Sequence, residues 1–370
     1  MNTERLHAIA VAALEDLKST KTVETLGQLV DALQNQVNQP QTAQFQQQVS
    51  NHLQTLNTAL PTAPSNDFSP AWKQALRELG MHDLLGENLQ IRIKEIFERN
   101  QITAAVALKE LQALHKQLTT YKGAFGEIVS GFKQINIGAE ELEPGQCEIG
   151  VLVPRSAVDN KLGEFAKDLE DLDKILGTFS ELTTEKRPGF EIRSVSSSDL
   201  SVFLETWPVV AASIAWAVER IVRVYKNVLE IRKLHGELKD QGIPKKDLEG
   251  ILKNVDSRMK NGIEKLIEDL LKEYYKTKDE GRRNELANEL RFCLGKIANR
   301  IDKGYSIEVR AQPPSEEEGA EEKVTAEDRK HIAAILSASK SLEFLRLEGV
   351  PILTLPESQE NHKGQEQQSG

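Results

Sequence analysis

Four polar residues in a row, Ser196, Ser197, Ser198 and Asp199, follow a predicted strand at 190–195. Crevices in open α/β sheets form outside strand ends, so this corner is a candidate ligand site. Arg155, followed by Ser156 and Asp159, comes after another predicted strand at 147–154. It neighbours the corner if the two strands run parallel. Hydroxyls with one arginine can hold an anion or a nucleotide-like ligand. The same residue types also serve as ordinary turns and helix caps through local hydrogen bonds.

Other chemistry is sparsely supported. No two histidines stand at helical i, i+4 spacing, and none pairs with a cysteine at zinc-ligand spacing. His235-Gly236-Glu237 has the His-x-Glu form of a deaminase, but no Pro-Cys-x-x-Cys follows. Neither a phosphate-cradling glycine loop nor a Gly-x-Ser-x-Gly elbow is present. The sequence therefore implies no metal, no cofactor and no marked catalytic residue.

The elements that would position these residues are mostly helical. Residues 208–241 read as a long central helix, with Pro208 at its first turn and Gly242 and Pro244 beyond its end. Its first third, from Trp207 to Val218, is apolar on every side. Its remainder carries a stripe, with Ala217, Ile221, Val224, Val228, Ile231, His235 and Leu238 at steps of three and four. Such a helix passes from a buried core into a two-helix seam. A second seam runs through Leu111, Leu114, Leu118, Tyr121, Phe125, Ile128 and Phe132. It can fold back on a neighbouring helix, on the N-terminal hairpin or on a second copy. Gly123, Gly126 and Gly131 on this helix mark a close backbone approach or a kink.

The remaining boundaries follow from turn residues and composition. Residues 1–60 form a helical hairpin, and 61–70, PTAPSNDFSP, a linker. A coiled-coil-like helical segment covers 71–138. An α/β domain spans 147–311. Within it, 147–154, a helix capped by Asp159 and 190–195 have the spacing of a βαβ crossover, and 200–205 is a strand or a helical turn. Its helical hairpin 245–302 bends near 276–281. Tyr305, Ile307 and Val309 alternate with polar residues in a further strand. Residues 312–324 are an acidic disordered linker, 325–356 a helix and strand, and 357–370 a disordered tail. Thr325 and Asp328 have the spacing of a capping box.

Composition narrows the function. The chain has 370 residues and a formal net charge of −10, which disfavours a dedicated nucleic-acid binder. The Arg220, Arg223, Lys226, Arg232 and Lys233 series alternates with glutamates, as a solvated helix face does. Cys147 and Cys293 suit two reduced core thiols, with a disulfide between them left open. The N-terminus lacks the features of a signal peptide. The apolar run between Glu205 and Glu219 is about a dozen residues, short of the ~20 that span a bilayer. A cytoplasmic protein follows.

The expected fold is mainly α with a small α/β (α+β) domain: long antiparallel helical hairpins flanking a sheet of three to four strands. The expected function is a non-enzymatic interaction or assembly module that self-associates or binds a protein partner through its long amphipathic helices, with Leu111, Leu114, Leu118, Tyr121, Phe125, Ile128, Phe132, Val224, Val228 and Ile231 as the interface and the small domain sensing a ligand. One alternative is a membrane-acting effector using 207–218, with Trp207, Val210 and Trp216 at the lipid surface. Another is an enzyme with an unmarked site near the strand ends.

Overall fold

A computed structural model describes residues 3–139, 142–196, 200–241, 245–314, 324–341, 345, 347 and 350–356. Among the described residues are eleven α-helices and one four-stranded antiparallel sheet, the mainly helical class that the patterning predicts. The chain divides into two units, Met1–Glu141 and Leu142–Gly370.

The first unit is all helix: α1 (Thr3–Ser19), α2 (Thr22–Asn38), α3 (Ala43–Ala59), α4 (Pro70–Glu78), α5 (Gly86–Arg99) and α6 (Ala104–Gln134). Thr20 breaks the first two apart by folding its hydroxyl back onto the Asp16 carbonyl at 2.7 Å, and Lys21 turns left-handed. Leu26, Leu29 and Leu33 of α2 share one core with the α6 stripe. Ser69 caps α4 through the Trp72 amide at 3.3 Å, and Pro70 takes the first helical position.

The predicted linker 61–70 is instead folded into 3-10 turns at Leu60–Thr62 and Pro64–Asp67. The Ser65 amide donates to Asp16 Oδ2 at 2.7 Å, and the Glu87 amide donates to Asn66 Oδ1 at 2.9 Å. These bonds tie the segment to α1 and α5, so residues on both sides of it share one core. Burial pushes the Asp16 carboxyl up, against the lowering effect of its bonds from Ser65. A Cβ added at Gly123, Gly126 or Gly131 would meet open space, so these glycines serve no close approach.

The second unit runs β1 (Cys147–Val153), α7 (Leu162–Thr184), β2 (Glu191–Ser196), β3 (Leu200–Thr206), α8 (Pro208–Asp240), α9 (Lys245–Tyr274), α10 (Glu280–Asp302), β4 (Ser306–Ala311) and α11 (Ala326–Ser341). The strand order is β2-β3-β1-β4, with every neighbouring pair antiparallel. This corrects the simple crossover. β1 and β2 do run parallel, but β3 folds back from β2 and takes the place between them, giving a split β-α-β arrangement. Residues 200–206 are therefore strand, not a helical turn.

One sheet face carries Cys147, Ile149, Val151 and Val153 of β1 with Val202 and Leu204 of β3, all buried in a core shared with α7, α8, α9, α10 and α11. Both cysteines are buried free thiols. Burial pushes the Cys147 thiol up to about 12. The helix ends follow their local signals in two cases. Asp279 accepts the Arg282 amide at 3.0 Å, and Thr325 and Asp328 bond each other's amides. Asp159 does not cap α7: it and Asn160 adopt positive φ, and the helix starts after Lys161. The strand expected within 325–356 is not formed among the described residues: 351–356 is an extended packing segment held by side chains rather than by a neighbouring strand, with Ile352, Leu353 and Leu355 buried. The predicted acidic linker falls largely on residues 315–323 and the predicted tail on 357–370; both ranges lie outside the described residues.

Candidate interaction surfaces

Arg155 opens a 3-10 turn after β1 and donates from Nη1 to Asn160 Oδ1 at 2.8 Å. Ser196 closes β2 opposite Ser201, while Val153 lies opposite Leu200. The two candidate segments thus reach the same end of the sheet, but β3 stands between their strands. Two strand spacings amount to roughly 10 Å. Ser197, Ser198 and Asp199 lie outside the described residues.

Beside the Arg155 turn is a cleft of 170 Å³ lined by Asp168, Asp171, Arg300 and Tyr305 among others. Its charges are engaged with one another. Arg300 Nη2 donates to Asp168 Oδ1 at 2.9 Å, the Tyr305 hydroxyl donates to the same oxygen at 3.1 Å, and Lys296 reaches Asp171 at 2.7 Å. Burial pushes the Asp171 carboxyl up, but Lys296 and Arg300 more than offset it and hold it below the usual range. The volume is below the ~300 Å³ at which small-molecule pockets begin. This arrangement clamps α7 to α10. Sequence reasoning missed it, although Asp168 with Asp171 and Lys296 with Arg300 stand at i, i+3 and i, i+4 spacing.

The second sheet face is polar and also buried. Arg310 donates from Nη2 and Nε to Glu148 Oε1 at 2.6 and 3.1 Å, and Arg193 lies 3.5 Å from Glu148 Oε2. A Cβ at Gly150 would come 2.6 Å from the Phe203 ring, so only glycine admits that ring across the strand. Among the described residues no group of three or more His, Cys, Asp or Glu could hold a metal ion.

The helical stripes are covered by their own chain. Leu111, Leu114, Leu118 and Phe125 are buried in the first unit, with Tyr121, Ile128 and Phe132 half-buried at its margin. The Phe132 ring lies 5.4 Å from that of His7. Val228 is buried in the second unit, and Val224 and Ile231 are half-buried against the same core. Gly262 of α9 lets Val224 approach, since a Cβ there would stand 3.1 Å from its Cγ2. Of the residues read as a lipid-facing surface, Val210 is fully buried, Trp216 is half-buried near Tyr274, and only Trp207 is substantially exposed. The 207–218 segment is thus a core helix start. Among the described residues no helix is long and apolar enough to cross a membrane.

The basic series on α8 is mostly paired with acids, as with Arg220 and Asp269 at 3.3 Å. Arg232 departs from the solvated-face reading. It is 4% exposed and donates from Nη1 to Asp302 Oδ1 at 2.9 Å and to the Asp302 carbonyl at 2.6 Å. The Tyr225 hydroxyl also donates to Asp302 Oδ1. Burial, then the Asp302 charge, pushes that hydroxyl well above its ordinary value, so Tyr225 stays a donor. A charge one helical turn after Val228 was the available sequence signal.

Helix-to-helix ion pairs give the second unit an acid-sensitive element. Burial pushes the Glu181 carboxyl up, but the Arg282 and Arg187 guanidiniums overcome this and hold it below its ordinary 4.5. A depressed folded pKa stabilises the fold above the ordinary value, and that contribution is lost as pH falls through the folded value. The melting temperature should therefore fall as pH drops from 5 towards 3. Glu181→Gln should lower stability at neutral pH by about 1 kcal/mol and flatten that acid slope. Thermal melts across this range check it; an unchanged slope in the variant contradicts the assignment.

β2 lies at one edge of the sheet. Among the described residues it pairs with β3 alone, and its Ile192 and Val195 are 66% and 55% exposed. A register shift between Ile192 and Ser194 lets Arg193 bulge, so Ile192 stands opposite Leu204 and Val195 opposite Val202. Both exposed side chains thereby lie on the apolar face, next to buried Leu204 and Val202.

No family model matches the chain, and neither a curated protein nor a solved structure matches it.

Proposed function

We propose that this chain is a non-enzymatic assembly module that self-associates through the β2 edge. The carrying observation is that edge: the terminal strand of the sheet among the described residues, carrying two exposed β-branched residues on the apolar face. Edge strands are templates for further pairing, and antiparallel addition of a second copy is a common way to satisfy them. A two-fold axis between Arg193 and Ser194 sets Ile192 of one copy against Val195 of the other. The amphipathic stripes are engaged within the chain, so their role in this reading is to build the core of each unit, the edge belonging to the second.

The test is native mass against concentration. Wild type should exceed the monomer mass, and Ile192→Asp with Val195→Lys should weaken association by more than about tenfold, or 1.4 kcal/mol. Both side chains are exposed, so the variant should melt at the wild-type temperature. A monomeric wild type at high concentration refutes the proposal.

A further inference from the structure

The extended segment 351–356, Pro-Ile-Leu-Thr-Leu-Pro, is held in an unusual way for a core segment: its backbone is read by side chains. The Ile352 and Leu353 amides donate to Asp302 Oδ2 at 2.6 and 2.7 Å. The Thr354 amide and hydroxyl donate to Asp256 at 3.0 and 2.5 Å. Asn299 accepts the Leu355 amide at 3.3 Å and donates to its carbonyl at 2.9 Å. Four consecutive amides are thus matched, and the two prolines that lack one flank them. Ile352, Leu353 and Leu355 fill apolar space while Thr354 faces out. Gly295 completes the groove, since a Cβ there would stand 3.3 Å from the Pro356 carbonyl oxygen.

The groove's polar groups come from elements other than its occupant. Gly295, Asn299 and Asp302 follow one face of α10 at i, i+4 and i+7. Asp302 is oriented by Tyr225 and Arg232 of α8, neither of which belongs to the segment. A preformed set of acceptors matched to a run of amides is how proteins recognise extended peptides.

We infer that the α9–α10 groove is a peptide-recognition site for an extended aliphatic-aliphatic-Thr-aliphatic-Pro segment, occupied by residues 351–356 of its own chain and able to take the same segment from a second copy. Exchange of an identical element reuses every contact described above. This inference is independent of the β2 edge.

A complementation experiment tests it with full-length chains. The acceptor carries Ile352→Asp and Leu355→Asp, which spoil the segment and leave the groove intact. The donor carries Gly295→Val, which blocks the groove and leaves the segment intact. Both also carry Ile192→Asp, which separates the result from any pairing at β2. Mixing should give a one-to-one complex that neither forms alone. Acetyl-VPILTLP-amide should bind the acceptor saturably, and N-methylation at Leu353 should weaken it at least tenfold. If either variant loses structure alone, mixing or the peptide should restore it. Folded variants that stay apart, an acceptor that ignores the peptide, or unfolded variants that neither restores would each overturn the inference.

Discussion

Asp302→Ala should cost the second unit about 3–5 kcal/mol, the scale of removing one partner from a buried ion pair. Asp302 is 1% exposed and collects four donors: the Tyr225 hydroxyl, the Arg232 guanidinium and the Ile352 and Leu353 amides. Alanine leaves a buried guanidinium facing a cavity and two amides without an acceptor. For a unit of this size the melting temperature should drop by roughly 6–20 °C. Denaturant unfolding followed by Trp207 and Trp216 fluorescence gives the free energy. The double change Asp302→Leu with Arg232→Met should cost less than Asp302→Ala alone, because it removes the charge left unpaired. A loss below about 1 kcal/mol for the single change would mean that water replaces the carboxylate without strain.

Leu118→Asp should unfold the first unit at every protein concentration. Leu118 is fully buried among the leucines of α2 and α6. Truncating such a leucine costs about 2–5 kcal/mol, and placing a carboxylate there adds several more. The sum reaches the whole stability of many domains, about 5–15 kcal/mol. Phe125→Asp should act in the same way. Helical circular dichroism and Trp72 fluorescence should report the loss. If the variant instead keeps its fold and only its native mass falls, the α6 stripe is an interface between copies.

That contrast marks how far the sequence was legible. The steps of three and four that select Leu111, Leu114, Leu118 and Phe125 identify a buried helix face, and the structure buries these four. Periodicity says nothing about whose helix covers the face, because a stripe is complementary to any apolar stripe of similar width. Local end signals at Ser69 and Thr325 were readable since a cap needs only three or four residues, whereas Asp279 was passed over inside a stretch read as a bend. Asp159 misled because a left-handed turn used it first. β2 and β4 were visible in their alternation and β1 in its β-branched run, but 200–206 stayed open between strand and helical turn, and the strand order was not legible: whether β3 separates β1 from β2 depends on long-range pairing. Residues 61–70 read as a linker because tight turns and linkers share Pro, Asn and Ser; the bond from Ser65 to Asp16 lies outside any local pattern. Of the polar candidates, Arg155 and Ser196 were placed at the same sheet end, without converging on a pocket. The groove around Asp302 was missed because its parts come from α8, α9, α10 and the segment itself.

The position of β1 in the sheet has a consequence for biosynthesis. β3 follows β1 after α7 and β2, but the strand on the other side, β4, is made only after α8, α9 and α10 as well, so that Cys147 waits for Ala311. At a usual elongation rate of about 5–20 residues per second, the stretch from Thr206 to Ala311 takes roughly five to twenty seconds. Throughout it the nascent chain carries an apolar strand open along one side on the ribosome, which makes this strand a natural target for chaperones during translation.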